Sequence, residues 1–318
     1  MAAKAISSFN AFLMLCLITF WGSSFVVVKI TLLEGFTPIS IATFRFLLAS
    51  AMFLAALLLN RRVNRNYALR VENKDLPKLL LLALTGVTFF FTIQYTGIQM
   101  ASASTAAILV CLLSPILITI FSARMLKEHL ARRQVLGIGI AAAGTLTVIA
   151  GSSLSLESNT SFFAGTLILL STPLLWATYT VIGKKVMEKY SPFLVSAYVN
   201  ILGGLCLIPF ATAENSISRI TTMSLQVWSA ILYLAFTCSL LGYSIWLHVA
   251  NQVKAAVVSS FMFAEPLITV MFATRFAGET VTLFTAAGGF LIFIGVYLVS
   301  RKQTVLNRSR AVQGSSSG

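Results

Sequence analysis

The 52 residues from Tyr95 to Leu146 recur 151 positions further on, and any fold for this chain must accommodate that duplication. The ungapped shift puts Pro115 on Pro266, Phe121 on Phe272, Arg124 on Arg275, Glu128 on Glu279, Gly137 on Gly288 and Gly144 on Gly295. Upstream the register is 155, which puts Trp21 on Trp176 and Lys29 on Lys184. Two apolar blocks share many Leu, Ile and Ala by chance, but Pro, Gly, Glu, Arg and Trp are scarce here and carry the match. A duplicated membrane unit produces this pattern, and such units build transporters.

Hydrophobic residues make up 58% of the chain and charged residues 10%, with a mean hydropathy of +0.90. A soluble domain carries about a quarter charged residues, so the chain reads as a polytopic membrane protein with no segment long enough to fold outside the bilayer. Its first apolar stretch lacks a small-residue cleavage site and reads as a span, not as a cleaved signal. The net charge of +14 suggests nucleic acid until the cations are located. They sit in short links between apolar runs with almost no interleaved aromatics, which argues for topology and against nucleic-acid binding. Cys16, Cys111, Cys206 and Cys238 lie inside apolar runs without metal-type spacing and read as small buried hydrophobes. His129 and His248 are too far apart to make a metal site by themselves, so no metal and no cofactor is expected. Gly137-Ile138-Gly139 is not a dinucleotide loop, because it lies within an apolar span with no preceding strand.

A span needs roughly 20 apolar residues. Ten runs qualify: 9–30, 37–59, 77–97, 102–123, 134–151, 162–183, 192–210, 226–248, 255–275 and 282–300. Pro38, Pro77 and Pro192 fall at span starts, where a missing N–H costs little. With the N-terminus in the cytoplasm, 19 of the 23 cations fall on inside segments; outside ends keep Lys29, Arg219 and Arg275, and Arg45 lies within the second span. The expected fold is therefore an all-α membrane protein of ten transmembrane helices with both termini cytoplasmic, in the cell (inner) membrane. Residues 1–151 and 152–302 form the two five-helix repeats. The stretch 303–318 is a polar tail, and Gly314 to Gly318 reads as an added segment. Five spans per half is an odd number, so the repeats are inverted, and such pairs place a substrate near the midplane where they meet.

The residues carrying the duplication resemble the EamA-type transporters of the drug/metabolite transporter superfamily. In the first half these are Trp21-Gly22-Ser23-Ser24-Phe25, Arg45-Phe46-Leu47-Leu48-Ala49 and Tyr95-Thr96-Gly97, followed by Pro115, Glu128, Gln134, Gly137 and Gly144. The second half offers Trp176-Ala177-Thr178-Tyr179, Glu265-Pro266, Glu279, Gly288 and Gly295. Each motif is short; order, spacing and duplication across 9–302 carry the resemblance. It implies a ten-helix basket with a central cavity between spans 1–4 and 6–9, spans 5 and 10 as supports, and small metabolites as cargo.

Glu265 is the one acidic residue at mid-span, ten positions from either end of its run. A carboxylate there costs several kcal/mol unless paired, neutral or facing a wet cavity, so it is a candidate for proton exchange. The other reading is a protonated group bonding carbonyls freed by Pro266. Its first-half equivalent is Ser114. Arg45 lies about seven residues, roughly 10 Å, inside the outer end of span 2. It can grip a substrate carboxylate, or snorkel to the interface. Trp21, Tyr95, Trp176, Tyr179, Tyr243 and Trp246 suit a cavity for amphipathic solutes and equally suit helix packing. With Ser24 they complete the candidate substrate-binding set. Glu128 and Glu279 precede the next helix and read as structural caps. The four repeat glycines lie seven apart on one helix face and read as packing residues.

These features point to a secondary carrier moving a small organic solute by alternating access, most simply an amino-acid exporter. Without a Walker motif its energy comes from gradients or exchange, and proton coupling through Glu265 is one option. Importers of nucleotide-derived metabolites and drug exporters are alternatives within the resemblance. A membrane-embedded enzyme would need a cluster of His, Asp, Cys or Glu near one interface, which the sequence lacks. The expected partners are a small-molecule substrate and the lipid bilayer; monomer and homodimer are both compatible.

Overall fold

The computed structural model describes residues 7–64, 69–126, 132–154, 160–252, 258 and 260–300, and every regular element among them is helical. In chain order the α-helices are α1 (Ser8–Leu33), α2 (Pro38–Val63), α3 (Leu76–Ala83), α4 (Phe89–Met100), α5 (Ala103–Leu126), α6 (Arg132–Leu154), α7 (Thr160–Leu169), α8 (Thr172–Val186), α9 (Pro192–Ala213), α10 (Leu225–Tyr233), α11 (Gly242–Gln252), α12 (Glu265–Phe276) and α13 (Leu283–Ser300). Seven helical stretches among the described residues are long and apolar enough to cross a membrane: Ser8–Leu33, Pro38–Val63, Asn73–Met100, Ala103–Ser122, Thr160–Val186, Pro192–Ala213 and Leu225–Gln252. Two shorter apolar helices, Val135–Val148 and Leu283–Gly295, join them. The chain is an all-helical, multi-pass membrane protein of about seven to nine apolar helices.

Helix starts follow local chemistry. Ser7, Thr37, Ser191 and Ser224 each accept a backbone N–H from the residue three further on, at 3.1 to 3.3 Å. Pro38 and Pro192 then occupy the first turn, where no N–H is needed. The run expected over 255–275 is not one continuous helix. Its described part is a 3-10 turn, Ser260–Ala264, followed by α12, which begins at Glu265. Glu265 is thus not at mid-helix but in a first turn, and Pro266 beside it removes an N–H that had no helical partner to lose.

Two long helices contain wide turns. The backbone opens into π-helical geometry at Leu84–Thr88, between α3 and α4, and again at Leu234–Leu241, between α10 and α11. Shifting the first by 151 lands inside the second, so the duplication extends to a backbone irregularity. Composition gives no hint of it.

First-half helices pack on second-half helices throughout: α2 on α9, α5 on α8, α1 on α12 and α6 on α13. The α6–α13 seam is the closest approach. A Cβ on Gly144 would stand 2.6 Å from the Gly288 carbonyl oxygen, and one on Gly295 would stand 2.5 Å from that of Gly137. Each pair maps onto the other under the 151 shift. Glu279 also joins the halves, accepting from Ala103 N at 2.7 Å, Ser104 N at 3.0 Å and Ser104 Oγ at 2.8 Å. It caps α5 across the interface and not the helix that follows it in sequence, which corrects the local cap expected. Glu128 lies outside the described residues. Leu54, Leu58, Leu146 and Phe290 stay more than half exposed on the outer surface, as lipid contact requires.

Candidate functional site

Helices α1, α2, α4 and α5 from the first half meet α8, α11 and α12 from the second around a central cavity. Water centres fit over about 40 Å³ of it, room for about three molecules and too little for an amino acid. The structure brings six of the ten candidate residues to its wall: Trp21 and Ser24 on α1, Arg45 on α2, Trp176 on α8, Tyr243 on α11 and Glu265 at the start of α12.

Arg45 is 1% exposed and turned inward, so it does not snorkel. Its Nε donates to Ser239 Oγ at 2.9 Å and its Nη1 to Tyr95 OH. The guanidinium carbon lies 4.4 Å above the Phe91 ring centre and 4.9 Å from that of Phe46. No carboxylate pairs with it; the ion pairs among the described residues all involve Glu72 or Asp75. A guanidinium held by hydroxyls and π-faces keeps its charge uncompensated, and a ligand carboxylate would complement it.

Glu265 is 3% exposed. Its Oε2 has no hydrogen-bond partner. Cys111 is buried, as expected from sequence, and also lines the same cavity wall, which was not expected. Close contact with α1 fixes the carboxylate's backbone. Thr269 Oγ1 donates to Gly22 O at 2.8 Å, and a Cβ on Gly22 would meet Glu265 O at 3.0 Å.

The remaining four candidates stand behind the wall. Tyr95 holds Arg45 from α4. Trp246 packs against Trp21 and Trp176, 5.5 Å from each ring centre, and Tyr179 lies 5.0 Å from Trp176. Ser114 turns back to bond Val110 O within α5. Trp176 Nε1, Tyr179 OH and Trp246 Nε1 are buried without hydrogen-bond partners. Orphaned buried polar atoms are rare; here three of them and Glu265 Oε2 crowd one region.

Sequence reasoning missed Phe25, Phe90, Phe91, Gln94, Val110, Cys111 and Met262 on the wall. Gln94 left a signal, as a polar amide inside an apolar span directly before Tyr95. The phenylalanines left none, being indistinguishable from lipid-facing ones by type.

Two further bonds cross between the halves, and both end on carbonyls of π-helical turns. Trp21 Nε1 donates to Cys238 O at 3.0 Å, and Tyr243 OH donates to Gly86 O. A π-turn displaces the regular carbonyl-to-amide pairing, which leaves carbonyls free for a side chain.

A multi-pass helical bundle whose two related halves share an aromatic-walled cavity holding Arg45 and Glu265 has the build of a membrane carrier. The family model for EamA-like transporters matches residues 8–150 and again 163–301; the chain belongs to that family, within the drug/metabolite transporters. It is 30% identical over 283 residues to an uncharacterised transporter of Archaeoglobus fulgidus, covering 89% of this chain and 94% of that one. Over 301 residues it is 26% identical to a Salmonella typhimurium protein named "probable amino-acid metabolite efflux pump", covering 91% and 94% of the two chains. A protein of solved crystal structure shares the fold with a TM-score of 0.63 at 17% identity, over 95% of this chain and 99% of that one.

Proposed function

We propose that this transporter exports amino acids or similar zwitterionic metabolites by alternating access, through ten spans arranged as two inverted five-helix repeats with both termini cytoplasmic. The observation that carries the reading is a single cavity walled by Arg45, Glu265 and aromatic rings, with no ion pair between the two charges. Arg45 takes the substrate carboxylate. Glu265 takes the ammonium group or a proton through its unpartnered oxygen, and Trp21, Trp176 and Tyr243 hold the apolar part. The reciprocal pairing of Gly144 with Gly288 and of Gly137 with Gly295 supports inversion, since a two-fold axis maps one contact onto the other. Export as the direction draws on the name of the Salmonella relative. Because the cavity holds only a few waters, substrate must enter by separating the halves.

Transport of labelled amino acids by proteoliposomes tests this directly, run across a metabolite panel. Arg45→Ala and Glu265→Gln should each lower transport about tenfold or more, the scale of a lost charge-assisted hydrogen bond, with normal expression. Normal transport in Glu265→Gln with an unchanged pH profile would reduce Glu265 to a helix-start group. No movement of any amino acid by the wild type would overturn the substrate class.

A further inference from the structure

We propose that Glu72, Asp75, Lys189 and Tyr190 form a latch that fastens the two halves on the positive-rich face and must separate before the cavity opens there. The inference rests on the alternating-access reading above and deepens it.

Asp75 ends a 3-10 turn, Asn73–Asp75, that leads into α3 in the first half. Lys189 and Tyr190 lie between α8 and α9 in the second. Lys189 Nζ is 2.7 Å from Asp75 Oδ2 and also pairs with Glu72. Tyr190 OH donates to the same Asp75 oxygen at 2.8 Å and accepts the Glu72 N–H at 3.1 Å. Lys78 completes the carboxylate's shell at 3.2 Å from Oδ1. Just beside it, Tyr198 OH donates to Leu69 O at 2.9 Å, another bond between halves. The Asp75 side chain is 8% exposed, covered by these partners although it lies just under the surface. A shared carboxylate with several donors is a network, and networks hold where isolated surface pairs do not.

The repeat has no counterpart to it. The 155 shift puts Glu34 in the place of Lys189, and the 151 shift puts Gln226 in the place of Asp75. Toward the other face the loops are joined by Thr37 Oγ1 donating to Glu214 Oε2 at 2.7 Å. A lysine ion network thus closes one face, while hydrogen bonds to the Glu214 and Glu279 carboxylates tether the other. In a fold whose halves exchange shapes, that difference biases the empty carrier against opening to the latched side.

Cys111 provides a native reporter, since its thiol lines the cavity and is 1% exposed. A membrane-impermeant maleimide is applied to the full-length protein in inside-out and right-side-out vesicles, and labelling lost in Cys111→Ser identifies the site. Asp75→Asn and Lys189→Met should raise labelling from the positive-rich face about threefold or more. The exchange Asp75→Lys with Lys189→Asp should return it toward the wild-type rate. Unchanged labelling in monodisperse single variants overturns the latch. If the single variants do not fold, a folded exchange variant decides: slow labelling supports the latch and fast labelling refutes it. The readout needs no substrate, so a failed metabolite panel leaves it standing. Faster labelling from the opposite face would keep the latch and overturn the sidedness.

Discussion

Adding one methyl group at Gly144 tests how tightly α6 and α13 are locked. The new Cβ would stand 2.6 Å from Gly288 O, 2.8 Å from Ile292 N and 2.9 Å from Ile292 Cγ1. Two of those three atoms are backbone, so no side-chain rotation relieves the contact. The helices must separate by roughly 0.8 Å to restore normal spacing, and a gap of that size forfeits a quarter to a half of the attraction across it. The expected loss is about 2 kcal/mol, within the range for overpacked sites, or roughly 5 °C of melting temperature. Gly139 on the same helix is the matched control. A Cβ there meets nothing within 4 Å, and alanine in a helix is favoured over glycine by up to about 1 kcal/mol. Thermal unfolding of wild type, Gly144→Ala and Gly139→Ala in one detergent separates the two outcomes. Below its melting point Gly144→Ala should still transport, because neither α6 nor α13 contributes to the cavity wall. Co-melting of Gly144→Ala with wild type would refute the backbone-contact reasoning, as would equal damage from Gly139→Ala.

Gly86→Ala would press a Cβ to 2.5 Å from Tyr179 Cδ2 and drive that ring toward Trp176; transport should fall severalfold, and unchanged kinetics would show that the ring has room. The latch should be indifferent to pH across the neutral range. Hydrogen bonds from Lys189, Tyr190 and Lys78 hold Asp75 below the ordinary carboxylate range, and bonds to Lys189 and Lys74 lower Glu72. Their contribution is present above an unfolded value of about 4 and is lost as pH falls through the folded values. Lys189 is raised by bonds to Asp75 and Glu72; its contribution is present below an unfolded value of about 10.4 and is lost as pH rises through the folded one. The stability difference between wild type and Asp75→Asn should therefore be flat from about pH 5 to 9 and shrink outside that window. A slope within it would mean that another group titrates in the latch.

The duplication alone pairs Trp21 with Trp176, and their rings meet edge to face at 5.4 Å. Arg45 and Glu265 were legible for a thermodynamic reason, since charge inside an apolar run demands an explanation wherever it points. Direction was not legible. Whether Arg45 reaches the interface or turns inward depends on Ser239, 194 residues away, and no local pattern encodes that. The break before Glu265 was hidden because Pro266 is compatible with both a kinked helix and a helix start. The π-turns were hidden because Leu, Thr and Gly form ordinary helix in this setting just as readily. Cys111 left no signal as a wall residue, because a buried thiol in an apolar run has the same sequence context whether it faces a cavity or a neighbouring helix.

Three of the four tryptophans, Trp21, Trp176 and Trp246, stand within 5.5 Å of one another, centre to centre, whereas Trp228 is 38% exposed and apart from them. Indoles that close exchange excitation before they emit, and their transitions couple in the near ultraviolet. The intrinsic fluorescence and circular dichroism of the protein are thus weighted toward one small volume at its centre. On the proposed reading a solute in the cavity meets Trp21 and Trp176, so its occupancy and release should be readable by light alone, on the unlabelled protein and in real time.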